Sequence, residues 1–481
     1  MTQNSLTPVE KTAPDITIAR TLSAADKARD PYFHVPFEVP EGATRIAIEL
    51  RYPKSEVSVI DLGLGDSELA PFPSEGGLRG WSGGARSEIF VGVDAATPGY
   101  VAGPIQAGTW QVILGLYRMP ETPVPVEIDI RFSFDPRTPA AARPPAPTVR
   151  KEPGWYKGDL QCHTFHSDAK GAPEHLHATA RREGLDFLAV TDHNTMTAHA
   201  AYFDAANSHE LIFVPAYEFT TEFGHANVFG PAKVFDFRVR SNDDAVEMVR
   251  RIRESGALFS PNHDKPVIPF QYDVPQIDCM EVWQGHWLSG NWISLARYQE
   301  RLVRGERVTA IGASDFHQPG AEPEGNPFTL ARPCTYLWLE DLSVPAVLDA
   351  LRAGRSFVTD APDGPMLTIS AGEAMLGGKV PPGPMSVRVE TRGAVGDMVC
   401  LIDATGVVAT RVIDADPFTA TLDLDTPQTF VRAEIIAKAS HEAIVSDLIG
   451  YLGDKRPGHS HWDDGSDHPI RRALTSPIYI G

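Results

Sequence analysis

The stretch Gly158-Asp159-Leu160-Gln161-Cys162-His163-Thr164-Phe165-His166-Ser167-Asp168 decides how this chain is read. Apolar Trp155, Tyr156 and Leu160 lead into a tight polar cluster of His163, His166 and Asp168. A buried strand that ends in such residues presents neutral imidazole nitrogens and carboxylate oxygens, the donors that zinc, manganese and iron accept. A solvated loop can carry the same residues once. The case for a metal rests on recurrence.

The pattern does recur. Leu185 to Val190 is a compact apolar run ending in Thr191-Asp192-His193-Asn194, and Leu211 to Ala216 leads to Glu218. Ala257-Leu258-Phe259 leads to Asn262-His263, and Val308 to Ile311 to Ser314-Asp315-Phe316-His317. Met280 to Trp283 and Tyr336 to Leu339 are further short apolar runs. Helical periodicity lies between them: Ala172 to Glu183, with Pro173 in its first turn and Gly184 as its stop; Ala245 to Glu254; Ser294 to Arg304; and Ser343 to Ala353. Apolar strands alternating with helices predict a parallel sheet, and about seven such units predict a closed barrel. Such a barrel collects its active site at the C-terminal strand ends, where the ligand-type residues sit.

The flanks read differently. Residues 1–30 are polar and aperiodic and are expected to be disordered. Over residues 31–135, Ile46, Ile48, Leu50 and Tyr52 share one parity, as do Trp110, Val112, Leu114 and Leu116, and Val126, Ile128, Ile130, Phe132 and Phe134. That alternation predicts a β-sandwich of half-buried antiparallel strands. Nothing in it has ligand spacing, so its expected role is structural. Residues 136–153 are a Pro-rich linker, and residues 154–361 form the barrel. Residues 362–481 form a small C-terminal β-domain and a polar, His-rich tail carrying His459, His461 and His468.

Lys and Arg number 43 against 63 Asp and Glu, so nucleic acid and anionic membrane surfaces are poor partners. None of the four cysteines, Cys162, Cys279, Cys334 and Cys400, forms a C-x-x-C pair. Met1 to Leu22 lacks a signal-peptide core, and no run approaches the ~18 apolar residues of a membrane span, so a soluble cytoplasmic protein is expected.

The motifs resemble those of the PHP (polymerase and histidinol phosphatase) superfamily. Gly158 to Asp168 resembles its first motif and Thr191 to Asn194 its second. Pro215 to Glu218 with His225 resembles the third; Asn262-His263 and Ser314 to His317 resemble the last two. Glu281 to Gly285, Arg355 to Thr359, Thr475 to Tyr479, Gly80 to Gly84 and Ala96 to Tyr100 further resemble the CehA/McbA-type metallohydrolases of that superfamily. The resemblance implies an α/β fold: a distorted (β/α)7 PHP-type barrel with an N-terminal β-sandwich and a small C-terminal β-domain. It implies metal ligation by His163, Asp168, His193, Glu218, His225, His263, Asp315 and His317, with Glu218 as the bridging carboxylate and Glu218 and Asp315 as catalytic groups. Asp192 is expected to orient a neighbouring ligand. Where the family has His-x-His, this chain has Gln161-Cys162-His163. That departure makes two divalent cations (Mn, Zn or Fe) the expected complement, with one or three as alternatives.

Lys265, Arg332 and Trp283 follow strand ends and are expected to bind substrate; His286 and Trp287 either wall the pocket or simply pack. His166 is left outside the ligand set, and Cys162 is expected in the core. The expected chemistry is hydrolysis of a small molecule by a metal-activated hydroxide, which suits a phosphate ester first and a carbamate, ester or amide second. An inactive metal-binding scaffold is the remote alternative. A homo-oligomer is compatible with the sequence.

Overall fold

The alternating N-terminal pattern folds into two facing four-stranded sheets. Its elements are β1 (Ile16–Leu22), α1 (Ala24–Arg29), β2 (Tyr32–Val39), β3 (Arg45–Arg51), β4 (Val59–Gly65), β5 (Leu78–Trp81), β6 (Glu88–Gly92), β7 (Gly108–Arg118) and β8 (Val124–Ser133). The sheets run β1-β8-β3-β6 and β2-β7-β4-β5. Ile46, Ile48, Ile128 and Ile130 of one meet Leu62, Leu64, Val112 and Leu114 of the other in a single apolar cluster. The computed structural model describes residues 13–138, 149–206, 211–266, 268–317, 328–452 and 468–481. Residues 13–30 correct the expected disorder of the N-terminus. β1 pairs along its length with β8, Ile16 to Ile130 through Leu22 to Val124. Its alternation is too short and polar to be seen in the sequence, and it is fixed by the ladder of its partner. Most of the linker's prolines, His459 and His461 lie outside the described residues.

The central region comprises β9 (Gly154–Cys162), α2 (Pro173–Arg182), β10 (Phe187–Val190), α3 (His199–Ala206), β11 (Ile212–Val214), β12 (Ala216–Thr221), β13 (Gly224–Phe229), α4 (Asn242–Glu254), β14 (Leu258–Pro261), β15 (Cys279–Gln284), α5 (Asn291–Val303), β16 (Thr309–Ala313), β17 (Cys334–Leu339), α6 (Val344–Ala353) and β18 (Ser356–Thr359). β9, β10 and β11 are parallel neighbours, as are β15 and β16. The uniform parallel alternation expected of a (β/α)7 barrel is not observed. β12, β13 and β14 form an antiparallel sheet, and β17 runs antiparallel to β9. The cause is local. Thr221 pairs with Gly224, leaving only Glu222-Phe223 to turn the chain. A parallel connection needs a crossover of a dozen or more residues. Single parallel bridges, Cys162 to Phe316 and His193 to Glu218, tie the separate sheets together beside the ligand motifs.

The C-terminal strands are β19 (Met366–Ser370), β20 (Lys379–Val380), β21 (Met385–Arg392), β22 (Met398–Asp403), β23 (Gly406–Val412), β24 (Phe418–Leu424), β25 (Phe430–Ile436), β26 (Arg471–Thr475) and β27 (Ile478–Ile480), with α7 (His441–Leu452) before β26. β19, β21 and β24 form a small sheet, whereas β26, β25, β22 and β23 extend the β9-β17-β18 sheet. Hydrogen bonding therefore runs unbroken from β18 into β26. No described helix is long and apolar enough to cross a membrane.

The outer face of the sandwich is not free. Trp81 lies over Gly63 and Gly115, where an added Cβ would fall 2.4 Å and 2.6 Å from its ring. The indole meets Phe237 edge-on at 4.9 Å, and the Tyr32 hydroxyl donates to Phe237 O at 3.0 Å. The two glycines thus make the slot through which the sandwich grips the central region. Gly115→Ala would force the indole and Asp61 aside, and overpacking of this kind costs about 1–3 kcal/mol. Urea unfolding should show the midpoint falling accordingly; an unchanged midpoint would mean that Trp81 does not occupy the slot.

Candidate metal centre

Glu218 stands at the centre of the ligand motifs. It is on β12, fully buried, and surrounded by imidazoles. Its Oε2 lies 2.9 Å from His193 Nδ1 and 3.7 Å from His163 Nε2; its Oε1 lies 3.4 Å from His225 Nδ1 and 3.3 Å from His263 Nε2. Beyond them, His163 Nε2 is 3.0 Å from Asp315 Oδ1. Asp168 Oδ1 is 3.4 Å from His193 Nε2 and 3.3 Å from His317 Nε2. Two groups of donor atoms emerge, His163, Asp168, His193 and His317 in one and His193, Glu218 and His225 in the other, each within 4.8 Å of one another. The structure thus brings all eight expected ligands into one place, with Glu218 reaching both groups.

The donors fit a cation. Glu218 Oε2 and both ring nitrogens of His163 are buried without a hydrogen-bond partner of normal geometry. Buried polar atoms left without a hydrogen bond are costly in a protein interior, and a cation among these donors would relieve that cost. The outer atoms of the rings are held as metal-ligand histidines usually are. His317 Nδ1 meets Asp315 O at 2.7 Å and His263 Nδ1 meets Ile268 O at 3.4 Å, while His193 Nδ1, facing Glu218, also meets Thr220 Oγ1 at 2.5 Å. Two ligands, Asp315 (φ 53°) and His263 (φ 29°), occupy the left-handed backbone region. Such strain costs on the order of 1–3 kcal/mol and persists where function over-determines the geometry.

Charges in the cluster compensate one another. Burial by itself would depress His193, but Asp168 and Glu218 outweigh it and hold its pKa well above the ordinary value. Burial likewise opposes, and carboxylates overcome, in His263 and His317, both raised to about 9. Against burial, His225 and His193 hold Glu218 well below the carboxylate range.

The supporting residues are as informative. Gln161 Nε2 donates to Glu218 Oε1 at 2.8 Å, while its Oε1 is buried and unpartnered. Asn262 Nδ2 donates to the same oxygen at 2.9 Å. Asp192 accepts from Thr164 N at 2.8 Å, Thr164 Oγ1 at 2.7 Å and Ser167 Oγ at 2.6 Å. It therefore braces the loop that carries Asp168 and touches no ligand side chain in these bonds. Asp159, fully buried and pushed to about 6 by burial, accepts from Gln161 N, Ser314 N and Ala331 N, joining β9 to the Asp315 turn. Sequence reading left Asp159 and Glu281 without roles. Glu281 Oε2 accepts from His263 N at 2.6 Å, and burial pushes its carboxyl up to about 8. A charged residue inside an otherwise apolar strand was the signal for both.

Three expected substrate residues are elsewhere. The Lys265 ammonium is buried against Gln284 O (3.1 Å) and Asn291 Oδ1 (2.9 Å). Trp283 is buried on Trp287, its Nε1 donating to Gly285 O. Arg332 faces Glu183 and Asp363. Trp283 and Arg332 line a separate cavity with His286 and Trp287. None of the three lines the cavity over the ligands, because following a strand end in sequence does not set the direction of the side chain. His166 is held by Thr197 Oγ1 at 2.8 Å, away from the ligands, and Cys162 is buried.

The cavity over the ligands has a volume of about 540 Å³. Asp168, His193, Glu218, His225, His263, Asp315 and His317 form its floor. Its wall comes from the sandwich: Tyr32, Val59, Asp61, Trp81 and the turn Ser82 to Ala85, with Tyr117 and Leu116. The expectation of a purely structural sandwich is corrected here. Gly99 N donates to Thr197 Oγ1 at 3.0 Å, and Arg86 donates to Ser167 O at 3.1 Å and to Phe165 O. The sandwich thereby also holds the Asp168 loop.

Residues 159–261 match the PHP domain family model. The PHP match begins at Asp159 and ends at Pro261, on β9 and β14, and so encloses His163 to His225. Among solved structures, a two-domain protein from Bacteroides vulgatus ATCC 8482, containing a predicted PHP-like metal-dependent phosphoesterase, is 16% identical; the likeness covers 62% of this chain and 95% of that chain, with a TM-score of 0.39. An amidohydrolase from Chromobacterium violaceum, with bound sulfate and no metal, is 17% identical over 34% of this chain and 88% of that chain, with a TM-score of 0.25. A comparison with curated proteins returns no match.

Two outcomes follow from this geometry. His263 and His317, at about 9, are protonated at neutral pH in the metal-free protein. A metal must displace those protons, so affinity should climb from pH 7 to about 9, and the raised His193 continues the rise. Titration calorimetry in buffers of different ionisation enthalpy should show proton release at pH 7; none would mean that these rings are not ligands. Gln161→His should place an imidazole beside His163 on the same strand face and raise the metal content or affinity after identical loading. Unchanged stoichiometry and affinity would remove position 161 from the metal site.

Proposed function

We propose that the chain is a metal-dependent hydrolase of the PHP superfamily, with two divalent cations held by the two donor groups that Glu218 spans. The observation that carries this reading is Glu218 itself, a fully buried carboxylate with an unpartnered oxygen at the floor of an open cavity. Divalent cations in such a site acidify a water and stabilise the charge that develops on the scissile group. The chain's own residues do the rest. Glu218 and Asp315 fix the donors in place, His317 and Asp168 close the side toward the sandwich, and the Trp81 and Tyr32 wall limits water around the bond. We read the mixed strands that carry the ligands as a distorted (β/α)7 barrel of the CehA/McbA type, in a cytoplasmic enzyme acting on a small molecule.

The lining of the cavity bears on the bond that is cleaved. No Lys or Arg is among the described residues that line it, while Asp61 and Glu222 add negative charge. A phosphate ester is ordinarily met by Arg or Lys forks. An uncharged ester, carbamate or amide therefore ranks first. A phosphate ester is the second reading, supported by the PHP match and by the positive charge that the cations themselves bring.

The test loads the protein with Mn, Zn or Fe and measures metal content and turnover of para-nitrophenyl acetate, para-nitrophenyl N-methylcarbamate and para-nitrophenyl phosphate. Metal-dependent cleavage of the first two is expected, and faster cleavage of the phosphate would reverse the ranking. Glu218→Gln should lose metal and lower kcat by orders of magnitude. Full metal content and near-normal turnover in that variant would overturn the reading, and metal binding by the parent protein without any turnover would leave the scaffold.

A further inference from the structure

Asp61 has no reason to exist in the fold. It sits on β4, whose alternate residues Ile60, Leu62 and Leu64 point into the sandwich core, so its own side chain points to the opposite face. That face is covered by the central region, and burial pushes the carboxyl up to about 7. Asp is poorly suited to a strand, and a half-buried carboxylate without a partner contributes nothing to the fold. Among the described residues, no group donates a hydrogen bond to it. The cations within electrostatic reach are engaged elsewhere, His193 with Glu218 and Asp168, Lys54 with Gly84 O (2.6 Å), and Lys27 with Glu222 (2.5 Å) and Tyr117 O (2.7 Å). Neither lysine lines the cavity; Asp61 does.

The surroundings keep that carboxylate open. An added Cβ at Gly84 would fall 3.4 Å from Asp61 Oδ1, and one at Gly115 would fall 2.9 Å from Asp61 Cβ. Gly84 thus leaves room beside it, next to Lys54 Nζ, whereas the slot at Gly115 is filled by the Trp81 indole. Tyr32, Trp81 and Tyr117 line the same wall. An unpaired carboxylate beside aromatic rings is the usual receptor for an ammonium group. The metal floor, by contrast, serves the bond to be broken.

We propose that Asp61 is the specificity-determining residue of this site, pairing with an ammonium group carried by the substrate some distance from its scissile ester or amide bond. This rests on the hydrolase reading for the bond, but the ammonium subsite can be tested without turnover. Binding of n-butylammonium to the metal-loaded protein, followed by calorimetry, should be at least about tenfold tighter than that of n-butanol, and Asp61→Asn should remove the difference. Turnover of para-nitrophenyl ε-aminocaproate against the equally long para-nitrophenyl heptanoate should show a kcat/KM preference of the same order, lost in Asp61→Asn.

Stability separates a subsite from a structural role. Removing an uncompensated, half-buried charge should leave Asp61→Asn as stable as the parent or more so, whereas a structural carboxylate would leave it weaker. Asp61-dependent butylammonium binding without cleavage of either ester would keep the subsite and remove the hydrolase reading. Cleavage of both esters without an Asp61-dependent preference, or no butylammonium binding, would overturn the subsite. So would a fall in the stability of Asp61→Asn.

Discussion

A single buried carboxylate organises this molecule. Glu218 has no access to solvent, and an isolated charge at such depth is untenable in a protein interior. The fold answers by aiming groups at it from different elements. Gln161 comes from β9, His225 from β13, and His193, Asn262 and His263 from the segments that follow β10 and β14. Amide donors and imidazoles alone leave Oε2 without a hydrogen bond. In the metal-free protein the raised imidazoles supply the opposing positive charge, the role a cation would take over as it displaced their protons.

The sandwich belongs to the same solution. Gly63 and Gly115 admit Trp81, and Trp81 packs on Phe237. Gly99, at φ +94°, approaches so closely that a Cβ there would lie 2.6 Å from His166 O. Together with Arg86 it holds the loop from Phe165 to Ser167, and so the position of Asp168. The close approach at Gly99, in the Ala96 to Tyr100 segment, thus lets one domain's backbone touch the other's ligand loop.

His163, His193, Glu218, His263 and Asp315 were legible because each follows an apolar run that becomes a buried strand, whereas His225 came from the family resemblance alone. The same logic misplaced Trp283, Lys265 and Arg332. In β15 the ladder shifts register between Glu281 and Trp283, so alternation no longer says which side chain faces the site. Glu281 supports His263 while Trp283 turns to Trp287. The β12–β13 hairpin was hidden for a different reason: His225 was read as a motif residue, and the two-residue turn before it has no Asn-Gly signature. Asp61 was invisible because a polar residue at an alternate strand position normally faces water. Only the packing of the central region over that face half-buries it at the edge of the cavity.

Gln161 shows how a one-residue departure redistributes the site. Its amide and that of Asn262 both donate to Glu218 Oε1, at 2.8 Å and 2.9 Å. Those two bonds, with His263 Nε2 at 3.3 Å and His225 Nδ1 at 3.4 Å, engage Oε1. Oε2 keeps its lone pairs and faces His163 and His193. A histidine at position 161 would compete for a cation where the amide instead satisfies the carboxylate. The amide therefore does more than stand in for an imidazole: it holds Oε1 of Glu218 by a hydrogen bond and leaves Oε2 facing His163 and His193.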